Sequence, residues 1–432
     1  MKRRLSYKEV TNLIDKQFSW LKTKYPLSYY YLETEIRLSL AGDHFALEQN
    51  LKKYSKISIL KILLLTVWKI ALTSIKLPYC YADKKTAYLN ISRHLQLQKR
   101  LNKGFRQKGI EVLSHPLKYL KMFNTRNYVP LGPIVSSSFD LRSLHRHIAM
   151  IGLYDFLASE KELKKLEKVL HKRVRVMSRF MKLLRIKYLI LQNEHSPHEK
   201  ILTLAAAEIK AKIIVIAHGY FQKSGSLVTV APIRAEELIV WTPSQREMLL
   251  KETGYNEKKI SYYGWPFEVS EPICKLPNFS PLFILSDIDN DFDEKEFELT
   301  VEVLKKFAAA HSKFRIRPHP SFYRSATQRK KLIQTKFDQY IKIETLTEQL
   351  RQSYLVTGHD SSVLLQAYFE NIPTYRIEEI SILDIPEVPI ISLDKILSMA
   401  SPSAQANATI APEINAGIEK VANAIISKML AF

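Results

Sequence analysis

The sequence predicts an α/β protein with two doubly wound domains in tandem after a helical N-terminal extension. Short apolar runs alternate with helical patterns from Thr86 onward, which is typical of parallel sheets covered by helices on both faces. A proline-rich break at Gly264–Pro281 interrupts the alternation and indicates a linker. We therefore expect a helical extension over 1–82, a first Rossmann-like domain over 83–264, a linker over 265–281 and a second Rossmann-like domain over 282–432.

The N-terminal extension contains one apolar stretch, Ile57–Lys76. Lys61 and Lys69 interrupt it well before the roughly 20 apolar residues that a bilayer crossing needs. With a helical period, its lysines fall on one stripe and most of its bulky apolar side chains fall off that stripe. The segment is therefore either a helix lying at an anionic membrane surface or a helix packed on the protein body with a lysine-edged solvent face.

In the first domain, continuous apolar runs predict strands. Amphipathic runs bounded by proline or glycine predict helices. The predicted strands are Thr86–Ile91, Ile110–Leu113, Tyr188–Leu191, Ile213–Ala217, Leu238–Trp241 and Ile260–Tyr263. The predicted helices are Arg93–Lys108, Glu160–Arg185, Pro197–Lys210 and one that begins at Pro243.

The second domain shows the same alternation of predicted strands and helices. Its predicted strands are Leu282–Leu285, Phe314–Arg317, Tyr340–Ile343, Tyr354–Thr357 and Thr374–Arg376. Its predicted helices are Glu294–Ala310, Gln328–Thr335, Thr347–Arg351 and Ser362–Phe369. The acidic run Asp287–Glu298 resembles a calcium loop in spacing, but Phe292 stands where that loop needs glycine, so we expect an acidic loop whose Asp293 caps the next helix and no metal site.

Composition and charge narrow the function classes. The chain has 432 residues, 46% of them hydrophobic and 25% charged, which excludes disordered and fibrous proteins. Only two cysteines are present, too few for a disulfide framework or a cysteine zinc site, and the N-terminus lacks a signal-peptide pattern, so we expect a cytoplasmic protein. Residues 1–275 carry a net charge of +25 and the remainder −3. The basic part suggests an acidic glycan or phospholipid partner, and no nucleic-acid-binding motif accompanies it.

Arg317 ends a predicted strand of the second domain, and Pro318, His319 and Pro320 follow it. The two prolines stiffen the backbone and remove two amide donors. Ligands of open parallel sheets bind at the carboxyl ends of strands, so Arg317 and His319 could stabilise a departing phosphate. The alternative is a structural histidine in a proline-rich turn.

A second cluster follows the strand Tyr354–Thr357. There Thr357 and Gly358 lead into Ser361 and Ser362, which open an amphipathic helix. Two hydroxyl groups at a helix N-terminus are suited to binding phosphate. Alternatively, Asp360 or Ser361 only caps the helix.

Two loops of the first domain could supply a general base. Glu194 and His195 follow the strand Tyr188–Leu191, and His218 follows Ile213–Ala217. A carboxylate or imidazole in such a loop needs only reach and a suitable pKa to deprotonate a hydroxyl group. Either could equally be a solvated loop residue. Glu194, His218 and His319 are the candidate catalytic residues.

Together these motifs resemble those of the bacterial capsule and surface-polysaccharide transferases of the GT-B class. The group includes sialyltransferases and polysialyltransferases, capsular Kdo transferases and CDP-glycerol polyol-phosphate transferases. The shared elements are Arg317-x-His319-Pro320 after one strand, Gly358-x-x-Ser361-Ser362 after another, and a Pro-Thr-Tyr strand. The resemblance covers roughly residues 187–376 and is looser in the first domain, where Asn193-Glu194-His195 replaces the family's acidic motif.

The resemblance implies a GT-B fold with two domains facing a cleft, and an inverting, metal-independent glycosyltransferase of capsule or lipopolysaccharide synthesis. It implies no cofactor, and as co-substrate a CMP-activated donor of the sialic-acid or Kdo kind. The implied donor-binding residues are Arg317, His319, Pro320, Thr357, Gly358, Ser361 and Ser362.

The implied acceptor is a glycan or glycolipid, and the basic N-terminal region could hold the protein at the inner face of the cytoplasmic membrane. Nucleic acid is not an expected partner. Two alternatives remain open at this point. One is a polyol-phosphate transferase that uses CDP-glycerol, and the other is a non-catalytic, basic membrane-associated scaffold with a transferase fold.

Overall fold

The computed structural model describes residues 5–42, 47, 51, 85–91, 94–114, 144–217, 219, 234–266, 280–286, 294–311, 313–320, 322–323, 326–342, 344–359, 361–381, 385–399 and 417–431. The chain divides into two compact units. The first unit comprises Met1–Phe267 together with Ala416–Phe432, and the second comprises Glu268–Asn415.

The first unit is built on a six-stranded parallel sheet with the order β2-β1-β3-β4-β5-β6. The strands are β1 (Thr86–Asn90), β2 (Glu111–Ser114), β3 (Ile186–Leu191), β4 (Lys212–Ile216), β5 (Glu237–Val240) and β6 (Ile260–Tyr262). Successive residues of β3, β4 and β5 are buried on both faces, which explains why these strands read as continuous apolar runs. Since β1 lies between β2 and β3, the chain reverses its winding direction between β1 and β3.

Helices cover this sheet, and their ends have local causes. Ser159 accepts a hydrogen bond from the Glu162 amide and starts the longest helix, and Gly254 ends another with a left-handed φ of 69°. The helices described in this unit are Tyr7–Gln17, Ser19–Lys24, Pro26–Leu40, Leu95–Gln107, residues 144–151, Leu153–Ala158, Glu160–Leu183, Pro197–Glu208, Pro243–Thr253 and Gly417–Ala431.

The N-terminal helices belong to the body of the first unit. Helical structure was predicted there and is present at Tyr7–Leu40, but these residues do not form a separate extension. The Glu167 carboxylate accepts hydrogen bonds from the amides of Leu27 and Ser28, and the Lys200 ammonium donates to the Tyr31 carbonyl at 2.6 Å. These side chains satisfy polar groups of the helix Pro26–Leu40, whose residues are almost all buried.

The C-terminal helix also belongs to the first unit, so the predicted second domain of 282–432 is too long. Gly417–Ala431 packs along Leu95–Gln107, and its apolar side chains join the core beside β1 and β3. The two helices approach closely enough that a side chain at Gly104 would collide with Ile426. An apolar helical stripe does not tell which sheet it covers, and this contact joins residues more than 300 positions apart in sequence.

The second unit holds a five-stranded parallel sheet with the order β11-β10-β9-β7-β8. The strands are β7 (Leu282–Leu285), β8 (Arg315–Pro318), β9 (Val356–Gly358), β10 (Thr374–Ile377) and β11 (Ile390–Ile391). The described helices are Glu294–Ala310, Ala326–Gln334, Leu346–Arg351, Ser362–Phe369 and Leu393–Ser398. Here β7 lies between β8 and β9, so the winding direction reverses between β7 and β9.

One predicted strand of this unit is wrong. The segment Tyr340–Ile343 was expected to be extended, but Asp338–Tyr340 forms a 3₁₀ turn and Ile341 makes only an isolated bridge to Ile316. The Tyr340 ring stacks on Phe314 with centroids 4.2 Å apart. This aromatic contact explains the apolar pattern without a strand.

Three predicted segments fall partly or wholly outside the described residues. They are the apolar stretch Ile57–Lys76, most of the linker over 265–281 and the start of the acidic run Asp287–Glu298. Trp265 is described and is buried against Trp241 with ring centroids 5.2 Å apart, so it lies within the first unit. No helix among the described residues is long and apolar enough to cross a membrane.

Candidate active site

The carboxyl ends of β7, β8 and β9 form one edge of the second sheet. In the strand register, Ile284 of β7 is paired with Arg317 of β8 and with Gly358 of β9. The predicted histidine and serine motifs therefore leave the sheet at the same edge and on either side of β7. This is also where the strand order reverses, which is the usual ligand-binding position in doubly wound sheets.

The Arg317 side chain is held by a buried glutamine. Its Nη1 donates to Gln349 Oε1 at 2.6 Å, and Gln349 lies on the helix Leu346–Arg351, which starts at a capping box formed by Thr345 and Glu348. Burial lowers the pKa of the Arg317 guanidinium below its ordinary value, which still leaves an arginine charged. Within the described part of the chain, Gln349 is its one hydrogen-bond partner, so other donors of the fork are available to an anion.

Arg315, two residues earlier, has a different role. Its guanidinium donates to the hydroxyl groups of Ser280 and Ser353, to Gln352 and to the Gln349 carbonyl. It is buried, and these bonds hold the strands and the helix Leu346–Arg351 together. The sequence analysis named Arg317 and not Arg315 as a phosphate-binding residue, and the partners of Arg315 assign it a structural role.

His319 and Pro320 lie exposed on the turn after β8. The His319 carbonyl accepts a hydrogen bond from the Phe322 amide at 2.9 Å, and Phe322 is anchored in the core. Pro318 is paired with Leu285 within the sheet. The backbone is therefore fixed on both sides of His319, by the sheet before it and by Phe322 after it. The predicted stiff loop is therefore present, and the role of its imidazole in catalysis stays a prediction.

Thr357 and Gly358 are explained by the packing of β9. Thr357 is fully buried and its hydroxyl donates to the Tyr375 carbonyl at 2.9 Å, which joins β9 to β10. Gly358 has a φ of 129°, and a side chain there would lie 2.7 Å from the Ile284 amide nitrogen and collide with its carbonyl oxygen. A direct contact of either residue with a donor remains a prediction, whereas their structural role is visible.

Ser361 and Ser362 start the helix Ser362–Phe369, as predicted. The Ser361 hydroxyl accepts a hydrogen bond from the Val363 amide at 3.3 Å, so the capping interpretation is confirmed. Capping uses an oxygen lone pair and leaves the hydroxyl proton to donate elsewhere. Both serines are half-buried, so phosphate binding by this helix start is compatible with the cap.

His359, next to the predicted site, was not among the candidate residues. Its Nε2 lies 3.0 Å from the Thr300 hydroxyl and its amide donates to the Ile284 carbonyl. Burial lowers its pKa to about 3, so the ring is neutral at physiological pH. It connects β7, β9 and the helix Glu294–Ala310 beneath the site. The sequence signal was its position after Gly358, at the exit of a buried strand.

In the first unit, Glu194 is held by backbone amides. Its two carboxylate oxygens accept hydrogen bonds from Arg234 at 3.2 Å and from Ala235 at 3.1 Å. Burial raises the pKa of Glu194 to about 7, although these two amide bonds and the positive charge of Lys259 favour the ionised form. A carboxylate with a pKa near neutrality is suited to general-base catalysis. His218, the other candidate base, lies outside the described residues.

Sequence reasoning missed a polar pair at the reversal point of the first sheet. Asn90 ends β1 and donates from Nδ2 to Glu199 Oε1 at 3.0 Å, and Glu199 lies in the first turn of the helix after β3. Both side chains are buried. Two signals were available in the sequence. One was an asparagine at the end of an apolar strand, and the other was an acidic residue in the first turn of the helix Pro197–Glu208. Among the described residues, no group of histidine, cysteine or acidic side chains is arranged to hold a metal ion.

No protein-family model matches the sequence, and neither does any curated protein. Solved structures do match the fold. A protein described as a UDP-N-acetylglucosamine 2-epimerase from Listeria monocytogenes superposes with a TM-score of 0.50 at 11% identity, over 81% of this chain and 96% of that chain. The fold is of the GT-B class. The predicted fold class, two Rossmann-like domains with parallel sheets, is thereby confirmed.

Two further structures are similar over comparable lengths. A glycosyltransferase from Rickettsia africae has a TM-score of 0.48 at 11% identity, over 81% of this chain and 98% of that chain. The UDP-GlcNAc 2-epimerase of Methanocaldococcus jannaschii, solved with UDP-GlcNAc and UDP, has a TM-score of 0.47 at 13% identity, over 81% and 100%. A shared fold does not select a reaction, so the function has to be argued from the site.

Proposed function

We propose that this protein is a glycosyltransferase that transfers a sugar from a nucleotide-activated donor to a glycan or glycolipid acceptor in surface-polysaccharide assembly. The observation that carries the proposal is the common edge of the second sheet, where Arg317 and His319 leave β8 and the serine-capped helix follows β9. These groups are cationic or hydrogen-bond donating, as an anionic leaving group requires.

The donor site acts by neutralising phosphate. Arg317 is already oriented by Gln349, so little conformational freedom is lost when its remaining donors bind a phosphate oxygen. His319 offers a hydrogen-bond donor from its imidazole ring, and the amides at the start of Ser362–Phe369 add a helix dipole. A single preorganised donor of this kind lowers the barrier of a group-transfer step by about 2.7–4 kcal/mol.

The nucleotide is proposed to be cytidine-based. The Arg-x-His-Pro and Ser-Ser motifs resemble those of transferases that use CMP-sugars, which favours a sialic-acid-like or Kdo-like donor. The M. jannaschii epimerase was solved with UDP, so uridine is the competing nucleotide to test.

The acceptor hydroxyl is proposed to lose its proton to a base of the first unit. Glu194 is the first candidate because a carboxylate with a pKa of about 7 can accept a proton and release it again near physiological pH. His218 is the second candidate. The charge of +25 in residues 1–275 is complementary to an acidic acceptor.

The experiment is a donor screen with the full chain. Purified protein is incubated with CMP-sialic acid, CMP-Kdo, CDP-glycerol and UDP-GlcNAc, and nucleotide release is followed with and without capsule or lipopolysaccharide fragments. We expect CMP release from a CMP-sugar, and loss of about 100-fold or more in His319→Ala. Lys330→Ala, an exposed cation on the helix Ala326–Gln334, is the matched control and should retain activity.

Three results would contradict the proposal. CMP release from CDP-glycerol alone would identify a polyol-phosphate transferase. Conversion of UDP-GlcNAc to an isomer without transfer would identify an epimerase. No release or binding of any nucleotide would favour the non-catalytic scaffold.

A further inference from the structure

The helix Glu160–Leu183 has an exposed face made almost entirely of cations. At 100° per residue, eight exposed basic side chains fall within an arc of about 100° along a helix about 36 Å long. We call this face the cationic stripe, and it consists of Lys161, Lys164, Lys165, Lys168, Lys172, Arg175, Arg179 and Lys182.

The helix's own acids do not neutralise the stripe. Glu160, Glu162 and Glu167 all lie outside the arc, and each is engaged away from most of it. Glu160 contacts Lys24 as well as Lys164, Glu162 lies 3.6 Å from His147, and Glu167 caps the helix Pro26–Leu40. Lys164 is thus paired, and within the described part of the chain the other seven cations of the stripe have no carboxylate partner.

Such an arrangement has an energetic cost within the protein. Like charges three and four residues apart on a helix repel one another by a few tenths of a kcal/mol per pair. The buried face of the same helix is conventional, with Leu163, Leu166 and Leu170 in the core, so packing does not require cations on the outside. The stripe is explained if an anionic surface neutralises it.

Exposed apolar side chains accompany the stripe. Leu183 is 69% exposed and Val176 is 41% exposed, and they lie seven residues apart, hence on the same side of the helix at one margin of the stripe. At the other end of the helix, Lys24 contacts Glu160, and Trp20, one turn before Lys24, is 45% exposed. Basic side chains bordered by exposed leucine are typical of surfaces that lie in a membrane interface.

We propose that the cationic stripe docks this protein on a bilayer that contains anionic phospholipid, with the helix lying parallel to the membrane plane. Lysine and arginine would extend to the phosphate groups while Leu183 and Val176 enter the headgroup region. An acidic polysaccharide is the other polyanion to consider. A soluble polysaccharide would leave the exposed Leu183 and Val176 in water, so lipid is favoured. This inference does not depend on the transferase activity.

The test is co-sedimentation of the full chain with vesicles of phosphatidylcholine alone or mixed equally with phosphatidylglycerol. We expect binding only to the mixed vesicles and weaker binding as salt is raised. Replacing Lys168, Lys172, Arg175 and Arg179 by glutamine should weaken binding about 600-fold, because each of the four basic residues near such a surface contributes a factor of about five. Leu183→Ser should weaken it a few-fold, and this loss should persist at high salt.

The matched control removes four cations from another helix. Lys99, Lys103, Arg106 and Lys108 are exposed on and just after Leu95–Gln107, and among the side chains that the structure describes no exposed large apolar one lies there. Their replacement by glutamine should leave vesicle binding within about threefold of wild type, given the short screening length. Equal losses in both quadruple variants would overturn the proposal. So would binding to a soluble acidic polysaccharide such as polygalacturonate with none to vesicles. Nucleotide release in the absence of vesicles is measured in parallel, and its failure would bear on the proposed function alone.

Discussion

Replacing Gly358 by alanine is expected to be one of the most destabilising single-methyl changes in the second unit. The residue has a φ of 129°, where an L-residue costs about 1–3 kcal/mol. Its new methyl group would also meet the Ile284 backbone, 2.7 Å from the nitrogen and closer to the oxygen, and forcing a packed backbone apart costs about 1–3 kcal/mol more. We expect a total loss of about 2–6 kcal/mol in the free energy of unfolding.

Urea unfolding measures this loss, with Gly254→Ala as the control. Gly254 has a left-handed φ of 69° but open space around it, so its substitution should cost about 1 kcal/mol. All four tryptophans lie in the first unit, whereas far-UV circular dichroism reports both units. Gly358→Ala should therefore lower the dichroism midpoint by more than 1 M urea, at a slope of about 2 kcal/mol/M, and affect tryptophan fluorescence less. Equal effects of the two substitutions would refute the close-approach argument.

Three further predictions concern buried ionisable groups. Lys200→Met should cost about 3–5 kcal/mol in thermal unfolding, because it removes the bond to Tyr31 and leaves the buried Glu35 carboxylate, 3.8 Å away, without its cation; adding Glu35→Gln should recover part of the loss. Because the folded pKa of Glu194 is raised to about 7, the free energy of unfolding should fall by about 2 kcal/mol as pH rises from about 4.5 to 7, after allowance for partial exposure. Glu194→Gln should remove this part of the pH dependence. Because the folded pKa of His359 is lowered to about 3, stability should fall as pH drops from 6.5 toward 3, and His359→Gln should reduce that loss in denaturant titrations at several pH values. Unchanged melting temperature in the first case, or unchanged pH slopes in the other two, would contradict the assigned environments.

The strands were largely predictable because their cause is local. Runs such as Ile213–Ala217 and Leu282–Leu285 are apolar throughout, and a two-sided buried strand is the simplest structure for them. The error at Tyr340–Ile343 arose because ring stacking on Phe314 buries the same apolar residues without strand pairing. Several helices end one or two residues earlier than expected, as at Leu183, since periodicity does not specify the final turn.

Contacts between distant segments were not predictable. Nothing in the pattern of Gly417–Ala431 indicates that it covers the first sheet, and nothing in Pro26–Leu40 indicates that Glu167 caps it. The same limit applies to the site. Its position at a strand end selected Arg317 as a candidate, but the structural role of Arg315 and the bond from Arg317 to Gln349 depend on distant residues and could not be predicted. The pair of Asn90 and Glu199 joins residues 109 positions apart and was missed for the same reason.

The central claim is that the carboxyl edge of the second sheet binds a nucleotide phosphate through Arg317. Calorimetric titration of CMP, and separately of UMP, into the full chain tests it most directly. Arg317→Gln should weaken nucleotide binding about 10- to 100-fold, the range for losing hydrogen bonds to a charged group. The control is Arg351→Gln, which should leave binding unchanged. Arg351 is exposed at the end of the helix Leu346–Arg351, which precedes the amino end of β9. Wild-type affinity in Arg317→Gln, or an equal loss in both variants, would contradict the account.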